Sequence, residues 1–98
     1  MKLRIEKTSP SSRKKWIAIF THPDGTSTRT EFGAKGYEDY TIHKDKTRRL
    51  HYWNRHLKDL DTGDFTRAGF LSFYLLWGDS TSLKKNINTF KKKFDIEK

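Results

Sequence analysis

The sequence has no cysteine, two prolines and one methionine. Without thiols there is neither a disulfide framework nor a thiolate metal site. Long apolar runs are also missing. The densest, Phe70 to Trp77, falls far short of the roughly 20 residues that cross a bilayer, so membrane insertion is not expected. The residues after Met1 include Lys2, Arg4, Glu6 and Lys7 with no apolar stretch, which gives no sign of a secretory leader. The expected location is therefore inside a cell. Acidic residues are scarce, 12 against 21 Lys and Arg, for a net charge of +9. Such an excess favours an anionic partner, most commonly nucleic acid. A phospholipid surface and an acidic protein are the other two classes.

What is present suits one domain, residues 1–98, because a chain of this size buries roughly 60–70% of its unfolded surface in a single modest core. Hydrophobic residues make up 33% and aromatics 14%, so the core is expected to consist of few, large side chains. Its centre is Phe70-Leu71-Ser72-Phe73-Tyr74-Leu75-Leu76-Trp77. Read as a helix, this stretch is apolar on every side, which is the pattern of a helix buried all round. Thr66 and Asp64 precede it as candidate N-caps and Gly78 follows as a stop. Gly69 inside it predicts the close approach of a neighbouring element.

Upstream, Met1, Leu3 and Ile5 alternate with charged residues at the period of a half-buried strand. Trp16-Ile17-Ala18-Ile19-Phe20 carries bulk on both faces and reads as a central strand. Pro23-Asp24-Gly25 is a turn signature, and Thr26 to Phe32 pairs back as an outer strand. Phe32-Gly33-Ala34-Lys35-Gly36-Tyr37 closes this sheet, in a spacing that matches neither the dinucleotide fingerprint nor a P-loop. Glu38 to His43 has room for one helical turn.

Residues 45–60 read as a second helix, capped by Asp45. Leu50, Trp53, Leu57 and Leu60 at i, i+3, i+7 and i+10 predict its buried face, with Arg48, His51, Tyr52 and Arg55 outward and Asp59 as their nearest acid. A charge run of this kind is often just a solvated face. Here residues 44–60 hold six basic residues against two acidic ones, and the bases interleave with Tyr52, Trp53, His51 and His56. Arginine forks phosphate and stacks on rings. After Asp79-Ser80-Thr81-Ser82, the positions Leu83, Ile87, Phe90 and Phe94 form the apolar face of a last helix, whose lysines lie opposite and on its flanks. The candidate nucleic-acid contacts are thus Lys44, Lys46, Arg48, Arg49, Tyr52, Arg55 and His56, with Lys35 in the glycine loop and Lys85 and Lys92 on the last helix. No nucleophile elbow is present, and His51 and His56 are wrongly spaced to clamp one ion on a helix face. No catalytic residue, cofactor or metal is expected.

Several strings together resemble one another's company in an uncharacterised family of small basic proteins from nucleocytoplasmic large DNA viruses, the giant-virus lineages, and some algae. They are Phe32-Gly33-Ala34, Gly36-Tyr37, Asp39-Tyr40-Thr41, His43-Lys44-Asp45, Arg48-Arg49, Tyr52, Arg55-His56, Ala68-Gly69-Phe70 and Leu75-Leu76-Trp77. The resemblance runs from Trp16 to Phe94. It implies a viral setting, in an infected cell or a virion, and no mechanism.

The sequence therefore predicts an α+β fold: a small antiparallel three-stranded sheet followed by three main helices, with a central buried helix. The expected function is non-enzymatic nucleic-acid binding, to duplex DNA rather than RNA, mainly through phosphates and helping to condense or package a genome. The alternative is a minor capsid or scaffold component whose charge meets acidic virion proteins.

Overall fold

The structure, a computed structural model, describes residues 1–97. Strands β1 (Lys2–Lys7), β2 (Lys14–Thr21) and β3 (Ser27–Ala34) form an antiparallel meander in the order β1-β2-β3. The stretch with bulk on both faces is indeed the central strand. Its register sets Leu3 opposite Phe20 and Trp16 opposite Phe32. The β2–β3 turn is built by Asp24, whose Oδ1 accepts from Thr26 N at 3.0 Å and Thr26 Oγ1 at 2.7 Å. Gly25 takes φ +89° there, a region open to glycine.

After the sheet come the single turn α1 (Tyr40–His43) and α2 (Lys46–His56), with a 3-10 segment over Leu57–Thr62. The central helix starts as α3 (Ala68–Leu71) and runs on as a π turn over Ser72–Leu76; α4 (Leu83–Lys93) follows. The central helix lies between the sheet and α4. Its Phe70, Leu71, Leu75 and Leu76 join Leu3, Ala18, Phe20 and Phe32 of the sheet and Phe90 of α4 in one buried cluster. Phe65, Phe70, Tyr74, Phe90 and Phe94 add a set of tilted and edge-on rings 4.8–6.0 Å apart. The π turn is held by Asn86, a buried side chain whose Nδ2 donates to Leu75 O (2.9 Å) and Ser80 O (2.8 Å). Gly78 does end the helix, but for want of space: a Cβ there would lie 2.2 Å from Tyr74 O. The neighbour admitted by Gly69 is Asp59, 3.3 Å from where its Cβ would stand.

Four expectations are corrected. The central helix begins at Ala68, and the residue before it, Arg67, gives no side-chain cap. Asp64 instead closes a turn before it, accepting from Thr66 N at 2.9 Å. Trp77 is half-buried, unlike fully packed Leu76. The second helix stops at His56, not Leu60. Its face is also rotated: Leu50 and Leu57 stand out, 58% and 56% exposed, while Arg49, Tyr52 and Trp53 turn inward. Ring area explains the rotation. Tyr52 lies on Trp77 (4.1 Å, 2°) and Trp53 on Phe73 (4.3 Å), and each such ring buries about 150–250 Å², more than a leucine offers. Trp53 Nε1 also donates to Trp77 O at 2.6 Å.

The chain's last described residues return to its first strand. Ile96 is buried, Leu3 N donates to Glu97 Oε1 at 2.8 Å, and Glu97 N donates to Met1 O at 3.2 Å. No sequence pattern announced this closure.

Candidate nucleic-acid interface

A cleft of about 900 Å³ opens between the loop that follows β3 and α2. The loop side carries Tyr37, Glu38 and Asp39, the helix side Arg48, His51 and Arg55, and the central helix contributes Ser72, Leu76 and Trp77. Gly33 lets the two halves close. It takes φ +77°, and a Cβ on it would come within 2.7 Å of Leu76 Cδ1.

Each wall is fixed by local chemistry. Asp39, 3% exposed, caps α1 through Thr41 N (2.9 Å) and pairs with Lys15 Nζ at 2.8 Å. The cleft's deepest charges thus cancel. Asp45 caps α2, accepting from Thr47 N (2.9 Å) and Arg48 N (3.2 Å), and its own N–H donates to His43 Nδ1 at 2.9 Å. Across α2, Tyr52 is sandwiched between Trp77 and His56, the latter ring 4.2 Å away. His56 Nδ1 in turn meets Asp59 Oδ2 at 3.0 Å. Burial, reinforced by the Asp59 charge, pushes the Tyr52 phenol well above its ordinary value; Arg55 opposes this only in part.

The candidate residues separate under this geometry. Arg48, Tyr52, Arg55 and His56 gather at the cleft. Arg48 stands 3.7 Å from Glu38, both half-exposed; such a pair is weak and readily exchanged. The Arg55 side chain forms no ion pair or hydrogen bond among the described residues. Asp59, expected beside the arginines, is engaged with His56 instead. Tyr52 has both ring faces covered. Arg49 is structural: its Nε donates to Trp77 O (3.1 Å) and Gly78 O (2.8 Å), its Nη2 reaches Asp79 at 2.9 Å, and its guanidinium lies 4.4 Å from the Trp53 ring centre. Lys35 ties loops together through Ser9 O at 2.9 Å. Lys44, at the left-handed end of α1, and Lys46 are exposed ahead of the cleft. Lys85 and Lys92 are exposed on α4 and line no part of it.

Tyr37, Asn54, Ser72 and the Lys15–Asp39 pair were not foreseen. Tyr37 is the one with a signal, a large ring set directly after a glycine in a polar loop. It is 74% exposed. Among the described residues no group of three or more His, Cys, Asp or Glu is placed to hold a metal ion. No helix among them is long and apolar enough to cross a membrane.

Fold and cleft together define a small basic α+β domain with a cleft lined by arginine and aromatic side chains. Residues 6–56, just over half of the chain, match a family of unknown function, DUF5754, and the chain belongs to that family. No curated protein and no solved structure matches it. The matched region spans β2, β3, α1 and α2 and so contains both sides of the cleft; Ser72, Leu76 and Trp77 lie beyond it.

Proposed function

We propose that this is a small nucleic-acid-binding protein, acting by binding and not by catalysis, whose main contacts are to phosphates. The observation that carries the reading is the outer face of α2. Arg48, His51 and Arg55 follow one another at i, i+3 and i+7 on the rim of the cleft. The two arginines are roughly 10 Å apart at 1.5 Å of rise per residue, one unpaired and one only loosely held. The net charge of +9 supplies the long-range attraction. In the setting that the resemblance implies, a large DNA virus, the ligand is viral DNA and the role is to help condense or package it. A second reading, contact with an acidic virion protein, is favoured by Leu50 on α2 and Leu57 just after it, which both stand exposed.

A salt titration tests the reading. For duplex DNA, log K is expected to fall linearly with log salt at about −0.9 per phosphate neutralised. Arg48→Ala with Arg55→Ala is expected to weaken binding and flatten that slope more than Lys85→Ala with Lys92→Ala. Both pairs remove the same charge, so equal losses would leave only diffuse attraction. No binding at low salt would leave the acidic-protein reading.

A further inference from the structure

We propose that the cleft takes one unpaired nucleotide, its base against Tyr37 and the apolar interior and its phosphate on Arg55 and Arg48. The proposal rests on the nucleic-acid reading and adds to it the form of strand that the site prefers. Four observations carry it.

The space is concave and, at about 900 Å³, falls within the roughly 300–1,000 Å³ usual for small-ligand sites. A flat or convex basic ridge serves a duplex backbone; a cleft is wasted on it. The charge is also layered. Asp39 and Lys15 neutralise each other within, Leu76 and Trp77 are apolar, and unneutralised positive charge sits only at the rim. That is the order a nucleotide needs, with a neutral base inside and an anionic phosphate outside. Glu38 stands at the same rim, so Arg48 must release it to take a phosphate; at 3.7 Å and half-exposed that exchange costs little.

The aromatic surface points the same way. The faces of Tyr52 are already covered by Trp77 and His56, whereas Tyr37 is 74% exposed and touches no other ring among the described residues. Of the cleft rings without a ring partner among the described residues, Tyr37 and His51, Tyr37 offers a base the larger face. Finally, the side chains of Ser72, Asn54 and His51 line the cleft without a hydrogen-bond partner among the described residues. They supply the few convergent polar groups with which a site reads the edge of a base. In a duplex that edge is paired and stacked, so a base can enter only when unpaired or flipped out.

The test is fluorescence anisotropy with a short labelled oligothymidine, competed at one salt concentration by a blunt duplex of equal length and by free thymidine monophosphate. The single strand is expected to bind about tenfold more tightly than the duplex, the scale of one base–aromatic stack. Tyr37→Ala should remove most of that preference while leaving duplex affinity and melting temperature unchanged, and Tyr37→Phe should keep it. Competition by the free monophosphate as strong as by the strand would place the same chemistry on a soluble nucleotide. Equal affinity for strand and duplex, or an inert Tyr37→Ala, would overturn the cleft assignment and leave phosphate binding standing. No binding to either nucleic acid would overturn both.

Discussion

Arg49 looks like one more basic residue of the binding face, yet its replacement by alanine is expected to destabilise the fold rather than to remove a ligand contact. Its Nε donates to Trp77 O and Gly78 O at 3.1 and 2.8 Å, just past the π turn. Trp77 O keeps a second donor, Trp53 Nε1 at 2.6 Å; Gly78 O does not share it. Hydrogen bonds from a charged donor contribute about 1.5–3 kcal/mol. The guanidinium also lies over the Trp53 ring, which adds about 0.5–2 kcal/mol in a partly desolvated setting. The pair with Asp79 adds little, because Asp79 is largely solvated. Together these give a loss of about 2–5 kcal/mol, against a total stability of about 5–15 kcal/mol for a domain. At about 4–8 °C per kcal/mol, the melting temperature should fall by about 8–40 °C. Arg49→Lys keeps the charge but not the planar fork and should retain at most part of the stability. Arg48→Ala, exposed and loosely paired, should stay within about 0.5 kcal/mol of wild type. Thermal denaturation followed by circular dichroism decides it. Arg49→Ala melting with wild type, but losing as much affinity as Arg55→Ala, would refute the structural role.

Two further outcomes concern the fold. Leu76→Ala should cost about 2–5 kcal/mol, as large-to-small core changes do, while Lys92→Ala should leave the chemical-denaturation midpoint unmoved; equal midpoints for both would make the central helix a surface. Glu97 links the chain's two ends, and its hydrogen bond from Lys91, with that from Leu3 N, holds the carboxyl below its ordinary 4.5. A lowered folded-state value means that the contribution is complete above pH 4.5 and is lost as the pH falls through the lowered value. Asp24 and Asp64 are lowered too, by their threonine hydrogen bonds, so the telling quantity is a difference. The stability gap between wild type and Glu97→Gln should be open at pH 7 and close on acidification; a gap independent of pH would deny the contact.

The sheet was legible because its signals are local. Alternation at Leu3 and Ile5, bulk on both faces of Trp16–Phe20, and Pro23-Asp24-Gly25 each depend on neighbours in sequence. The central helix was legible as a composition, though not its π turn, which rests on Asn86 reaching back to Leu75. The second helix misled because periodicity weighs residue types alike. Leu50 and Leu57 keep a helical spacing with Trp53, yet the helix rotates to lay Tyr52 and Trp53 on Trp77 and Phe73, and the leucines are left outside. The outward position of Arg48 and Arg55 was legible because they flank that face in either orientation. Tyr37, Ser72 and the Lys15–Asp39 pair come from distant parts of the chain, and nothing in their own surroundings forecasts that they meet.

The same geometry determines which substitutions can report on binding. Leu76 packs against the position of Gly33, and Trp77 carries Tyr52, Trp53 and, through its carbonyl, Arg49. The inner end of the cleft is therefore made of the core itself, and a change there alters fold and site together. The rim is different. Tyr37 and Arg55 project from fixed backbone, one after the glycine turn and one on α2, without ion pairs, hydrogen bonds or ring contacts among the described residues. Their removal takes away surface and charge and no packing. A loss of affinity at Tyr37 or Arg55 with an unchanged melting temperature thus speaks for the cleft, whereas a loss at Arg49, Leu76 or Trp77 has to be corrected for the unfolded fraction first.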